Sequence, residues 1–274
     1  MNHSERDVPL VEIRNARVFR GNTRVFDRLD LTIRQRETVA ILGPNGSGKT
    51  TLLKLISREL YPVADESTTL RVLGRERWNV WELRSRIGLV SHDLQAQYRS
   101  DSSGLEVVLS GYLSSIGIHG LLRRRIDDRQ RDRAEHVLQE LGAANLAGRA
   151  FGKMSTGQQR RCLLARALVH DPDTLILDEP TAGLDLAAAF DYMDRIRKLV
   201  REGKNIILVC HSLYEIPPEV SRVILLRDGK IVADGPKDRV LTERNLGATY
   251  GIDLRIAKQD DAADFGRDLI QRVA

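Results

Sequence analysis

The sequence feature that most constrains the fold is a glycine-rich segment between an apolar run and a helical pattern. The segment reads Gly43-Pro-Asn-Gly-Ser-Gly-Lys49-Thr50 and fills each fixed position of the pattern G-x-x-x-x-G-K-[ST]. Thr38–Leu42 before it is typical of a buried strand, and Thr51–Ile56 after it has helical spacing. A strand, a glycine loop and a helix in this order predict an α/β domain built around a phosphate-binding loop.

Such a loop can bind a nucleoside triphosphate because its backbone N–H groups turn toward the phosphates with no side chain in the way. The helix that follows directs its positive N-terminal end at the same anion. We expect Lys49 to reach the β and γ phosphates and the Thr50 hydroxyl to ligate Mg²⁺. The predicted phosphate-binding residues are Gly43, Pro44, Asn45, Gly46, Ser47, Gly48, Lys49, Thr50 and Thr51.

A second candidate site lies at the end of a predicted buried strand, where the apolar run Leu175–Leu177 leads into Asp178 and Glu179. Ligands of α/β sheets bind at the carboxyl ends of the strands. We therefore expect Asp178 to hold Mg²⁺ beside Thr50, either directly or through water. Glu179 is expected to polarise the water that attacks the γ-phosphate.

A third motif, Met154-Ser-Thr-Gly-Gln158, precedes a helical run. Ser155 is a good helix N-cap, and it and Gly157 would present a hydroxyl, backbone N–H groups and a helix N-terminus to a γ-phosphate. With this motif the chain resembles the ATP-binding subunits of ABC transporters, whose signature reads L-S-G-G-Q before such a helix. Ala182–Asp185 resembles the D-loop of that family, and His211 resembles its switch histidine.

The resemblance covers residues 9–245 and implies an α/β P-loop fold, the ABC-type nucleotide-binding domain. It implies a core at 9–92 and 156–245 with an antiparallel β edge, a helical subdomain at 93–155 and a short tail at 246–274. The implied activity is hydrolysis of ATP with Mg²⁺, with Glu179, His211 and Lys49 in catalysis. Two copies would form a homodimer in which each ATP lies between one phosphate loop and the partner's segment with Ser155, Gly157 and Gln158.

Three departures from the family pattern limit which residue roles can be inferred from the resemblance. Thr156 replaces a signature glycine, although the serine and the second glycine remain. Arg20 stands where the family has an aromatic ring beneath adenine, and a guanidinium can also stack on a base. His92 occupies the position of a glutamine that touches Mg²⁺ and water, while Gln95 follows three residues later. Either can be the ligand; we favour Gln95, because an amide coordinates at any pH.

The transport role is predicted from resemblance. Glu106–Gly117 and the tail Val240–Asp253 are similar to ATPases that serve importers of metal chelates. His211–Pro218 is similar to molybdenum-transport and photorepair-type ATPases. The preferred interpretation is the energising subunit of a solute importer. The alternative is a soluble ABC-type ATPase with a regulatory, translational or DNA-related role. A nucleotide-gated binding module without turnover is disfavoured, because Glu179 and His211 are both present.

Composition agrees with a peripheral cytoplasmic subunit. The net charge is only +5, and the basic run Arg123–Arg125 is followed by acidic residues, so direct binding of nucleic acid is not expected. Cys162 and Cys210 lie far apart, as in proteins of a reducing compartment. No apolar run is long enough to span a bilayer. We therefore expect the chain to reach the inner face of the membrane through a membrane-spanning partner subunit.

By the same resemblance, Asp93–Leu105 is expected to receive a helix of that partner. This stretch is polar and contains one large ring, Tyr98. One interpretation is an exposed flexible loop. The preferred interpretation is that Tyr98 and Arg99 form an anchor for the partner, since buried tyrosine and arginine side chains dominate many interfaces.

Overall fold

A computed structural model describes residues 8–118, 120–258 and 268–272. Its strands are β1 (Val11–Arg20), β2 (Thr23–Ile33), β3 (Val39–Leu42), β4 (Thr69–Val72), β5 (Ile87–Val90), β6 (Thr174–Asp178), β7 (Asn205–Cys210), β8 (Arg222–Arg227), β9 (Lys230–Pro236), β10 (Leu254–Lys258) and β11 (Asp268–Arg272). Its α-helices are α1 (Lys49–Ile56), α2 (Val80–Arg86), α3 (His92–Gln97), α4 (Gly104–Leu109), α5 (Asp128–Glu140), α6 (Thr156–Leu168), α7 (Leu186–Arg201), α8 (Lys237–Val240) and α9 (Glu243–Tyr250). Short 3-10 helices occupy Gly120–Arg125, Ala144–Leu146, Phe151–Lys153 and Leu213–Glu215.

The described residues divide into two compact units, one from Met1–Trp78 with Asn205–Ala274 and the other from Asn79–Lys204. The first unit contains the predicted antiparallel edge, an antiparallel sheet of order β2-β1-β4. It also contains the parallel strands β7, β3 and β8, with β9 antiparallel to β8. Every residue of β3 and β7 is buried, as expected of parallel strands covered on both faces.

The first unit contains a β-hairpin. β8 and β9 are joined at Asp228 and Gly229, which both have positive φ angles of 49° and 70°. Two consecutive positive φ angles define the tight turn whose twist matches that of the flanking strands. The backbone N–H of Gly229 donates to the carbonyl of Ser47, so the turn supports the phosphate loop.

The second unit consists of the parallel pair β5 and β6 and a group of helices. α6 packs against β5, α4, α5 and α7. The apolar face of α5 is buried at Ala134, Val137 and Leu138. A capping box at Asp127 begins this helix, and Gly142, with φ 60°, follows its end.

In the part of the chain that the structure describes, no helix has both the length and the apolar content that a membrane span requires.

Candidate nucleotide-binding site

The phosphate loop connects β3 to α1 in the first unit, as the sequence predicts. Gly46 and Gly48 have φ angles of 80° and 109°, which side-chain-bearing residues rarely adopt. A Cβ atom added at Gly48 would lie 2.8 Å from the Phe26 ring. The backbone path of the loop and its packing on β2 therefore both require glycine.

Side chains of the loop fit a phosphate ligand. Lys49 is 5% exposed, and its Nζ donates to the carbonyls of Gly43 and Pro44 at 2.7 and 3.1 Å. The ammonium group is thereby held at the start of the loop. Ser47 is 1% exposed, and its Oγ has no hydrogen-bond partner among the described residues. A buried hydroxyl in this state favours a ligand that accepts hydrogen bonds, which phosphate oxygens do.

His211 lies at the same sheet edge as the loop. Cys210 pairs with Leu42 in register, so His211 follows β7 where Gly43 follows β3. The backbone N–H of His211 donates to Glu215 Oε2 at 3.0 Å, which fixes the turn after the strand. Arg20 lies at the end of β1 and is exposed, in the same unit as the loop. The structure thus groups the loop and His211, while contact of Arg20 with a base stays a prediction.

The carboxylates Asp178 and Glu179 lie in the second unit. β6 is buried throughout, and Asp178 is its last residue. Glu179 follows with φ 49°. This angle lies in the left-handed region, which is energetically unfavourable for any residue that has a side chain. Strained backbone of this kind is common at functional sites, where it aims a side chain that a relaxed turn would point elsewhere.

Arg160 on α6 is a residue that the sequence reasoning missed. It is completely buried, and its three guanidinium nitrogens have no hydrogen-bond partner among the described residues. Burial lowers the pKa of Arg160, and the attraction of Tyr192, Asp178 and Glu179 opposes this shift without cancelling it. A cation close to the two candidate catalytic carboxylates attracts them and can help to orient their side chains. Because arginine is rarely buried, only a structure reveals this role.

The two candidates for the ligand after β5 differ in their surroundings. Val90 pairs with Leu177, so the chain leaves β5 at the strand end that carries Asp178. His92 then begins α3 and is exposed. Gln95 is half-buried on the same helix, and its Nε2 donates to Gln159 Oε1 at 2.6 Å.

The signature segment forms the start of α6. Ser155 caps the helix by accepting from the backbone N–H of Gln158 at 3.3 Å, and Gln158 Oε1 accepts from the N–H of Ser155 at 3.0 Å. This capping box leaves Ser155 exposed at the N-terminus of the 13-residue helix. A Cβ at Gly157 would lie 3.3 Å from Ala188 at the start of α7. The predicted cap is confirmed.

The expected partner anchor at Tyr98 and Arg99 is wrong for Tyr98. The segment begins with α3 instead of an exposed loop, and Tyr98 is only 8% exposed. Its ring lies 5.5 Å from that of Phe151, and its hydroxyl is 2.7 Å from Ser110 Oγ. These neighbours are distant in sequence, so a local polar pattern could not reveal them. Arg99 is exposed.

Fold and candidate residues together define an α/β nucleotide-binding protein with a phosphate loop. The family model described as "ABC transporter" matches residues 26–182. The manganese transport system ATP-binding protein MntB of Bacillus subtilis is 33% identical over 254 residues, covering 93% of this chain and 97% of that protein. The hemin import ATP-binding protein HmuV of Rhodopseudomonas palustris is 29% identical over 253 residues, with 89% of each chain covered.

Among solved structures, the dimeric bacterial ABC transporter cassette MJ0796 superposes with a TM-score of 0.66 and 26% identity, covering 82% of this chain and 98% of that one. The chain belongs to the ABC transporter family and is an ATP-binding domain with the ATPase activity of that family. The predicted ABC-type α/β fold is confirmed.

Proposed function

We propose that this chain binds and hydrolyses ATP as the energising subunit of a solute importer. The observation that carries the proposal is the phosphate loop, in which Lys49 and the buried Ser47 hydroxyl line a cradle that glycines keep open. His211 extends the same edge of the sheet.

The residue roles follow from their chemistry. Lys49 and the loop N–H groups neutralise and orient the phosphates. Thr50 and Asp178 would hold Mg²⁺, which when bound would offset the negative charge of the triphosphate. Glu179 accepts a proton from the attacking water, and His211 hydrogen-bonds near the γ-phosphate. Gln95 supplies a further oxygen to the metal or the water.

A homodimer completes the proposed site. Ser155, Gly157 and Gln158 would meet the ATP held by a second copy, since an exposed helix N-terminus is a suitable anion site. The dimeric form of the related cassette MJ0796 supports this arrangement. A two-fold axis would place both ATP molecules in one interface.

The importer role is supported by the names of relatives that serve manganese transport and hemin import. The proposed partner is a membrane-spanning subunit, which would place this chain on the inner face of the membrane. The transported solute would be selected by that subunit and by a capture protein.

Two measurements test the proposal. Purified protein should release phosphate from ATP only with a divalent cation, and Lys49→Ala should weaken ATP binding because it removes a charge from the cradle. Unchanged ATP affinity of Lys49→Ala would contradict the assignment of the cradle. Detergent extracts of the source cells should yield the chain together with a protein of many apolar spans. Recovery of an ATPase alone, or with nucleic acid or ribosomes, would contradict the importer role.

A further inference from the structure

A relay of hydrogen bonds runs through three elements of the second unit. Gln95 on α3 donates from Nε2 to Gln159 Oε1 on α6 at 2.6 Å. Gln159 in turn donates from Nε2 to the backbone carbonyl of Phe151 at 2.9 Å. The relay thereby joins the segment after β5 to Gln159, the residue that directly follows Gln158 of the signature segment.

The Phe151 carbonyl fixes the direction of the whole relay. A carbonyl oxygen can only accept, so the Gln159 amide must turn its NH₂ group toward Phe151. Its oxygen then faces Gln95, which can bond to it only through its own NH₂ group. The consequence is that the Gln95 oxygen points away from Gln159.

That oxygen is the end of the relay at which a ligand can bind. Gln95 Oε1 is buried and has no hydrogen-bond partner among the described residues. An unpartnered buried acceptor costs free energy, which a cation or a water molecule would recover. Oxygen ligands are those that Mg²⁺ prefers. His92 faces solvent at the start of the same helix and has no comparable support.

We infer that Gln159 is a positioning residue for ATP hydrolysis, because it holds the Gln95 amide with its oxygen directed toward the Mg²⁺ or the water. The inference rests on the proposed function, in which Gln95 contributes that oxygen. It also gives the signature helix an influence on the metal ligand of its own subunit, since movement of α6 would release the Gln95 amide to rotate.

The test compares Gln159→Met, which has similar volume but cannot form hydrogen bonds, with Gln139→Met as a matched control on the exposed side of α5. Mn²⁺ affinity is measured by electron paramagnetic resonance with a non-hydrolysable ATP analogue, and kcat and KM are measured for ATP. Gln159→Met should weaken Mn²⁺ binding and lower kcat about tenfold, the usual effect of losing an outer-shell partner of a metal ligand. Its KM for ATP should stay unchanged, because the phosphate loop is intact.

A double mutant separates positioning from a structural contribution. In the Gln95→Ala background, Gln159→Met should cause no further loss, because the residue through which it acts is gone. Gln159→Glu provides a second variant of nearly the same shape, whose carboxylate can accept from Gln95 but cannot donate to Phe151. Because this carboxylate still fixes the direction of the Gln95 amide, Gln159→Glu should keep more Mn²⁺ affinity than Gln159→Met.

The outcomes distinguish this inference from the proposed function. A wild-type protein without ATPase activity would contradict the proposed function itself. Normal Mn²⁺ affinity in Gln95→Ala, or a Gln159→Met variant equal to Gln139→Met, would overturn the relay while leaving the ATPase in place. A Gln159→Glu variant that binds Mn²⁺ as weakly as Gln159→Met would also overturn it. Additive losses in the double mutant would also overturn it, because Gln159 would then act by another route.

Discussion

Truncation of Tyr98 should destabilise the fold instead of abolishing partner binding alone. Ser110 Oγ donates to the carbonyl of Val107 at 2.6 Å, so it must accept from the Tyr98 hydroxyl. Tyr98→Phe removes only this bond and should lower the free energy of unfolding by about 1 kcal/mol. Tyr98→Ala also removes the ring beside Phe151 and should cost about 3–5 kcal/mol, the range for buried aromatic residues.

Thermal unfolding followed by far-UV circular dichroism measures these differences. For a chain of this size each kcal/mol moves the midpoint by roughly 2–4 °C, so Tyr98→Ala should melt about 10 °C below wild type. Arg99→Ala is the matched control, because Arg99 is 66% exposed and pairs with the exposed Asp101. It should change stability by less than about 0.5 kcal/mol. A Tyr98→Ala protein that melts with wild type would refute the packing argument and restore Tyr98 as a surface anchor.

Three further perturbations follow from single features of the structure. Arg160→Met should lower ATPase activity, since it removes a buried charge that lies near Asp178 and Glu179; a folded variant with the wild-type rate of phosphate release would contradict this. GTP should be hydrolysed within about a hundredfold of the ATP rate, a gap of about 2.7 kcal/mol, because Arg20 gives no base-specific contact; a larger gap measured by phosphate release would show a missed contact. Burial lowers the pKa of His170, so the unfolded chain binds the proton more readily and the free energy of unfolding should fall as pH drops below about 6.5. His170→Gln should reduce this dependence of stability on pH in urea titrations, and an unchanged dependence would exclude His170 as its origin.

Local patterns predict the elements of this fold well. The strand and the helix on either side of the phosphate loop form as predicted, and Ser155 caps α6 as its side chain suggests. Each depends on residues within a few positions of one another, where backbone angles and hydrogen-bonding groups are set by residue type.

Contacts between distant parts of the chain explain what the sequence did not reveal. The polar neighbours of Tyr98 in the sequence predict an exposed side chain, yet Ser110 and Phe151 bury it. Arg160 and Gln159 lie in a helix whose polar residues give no sign of which face is covered. Their roles depend on Asp178, Glu179 and Gln95, which reach α6 from other elements.

The central claim is that ATP closes two copies of this chain around a site where Glu179 drives hydrolysis. The direct measurement is light scattering of Glu179→Gln during size-exclusion chromatography, with and without Mg²⁺-ATP. The amide cannot take a proton from water but leaves the binding surfaces intact, so the variant should bind ATP normally, show no turnover and elute at twice the monomer mass only with ATP. A variant that hydrolyses ATP at the wild-type rate, or stays monomeric with ATP bound, would contradict the account.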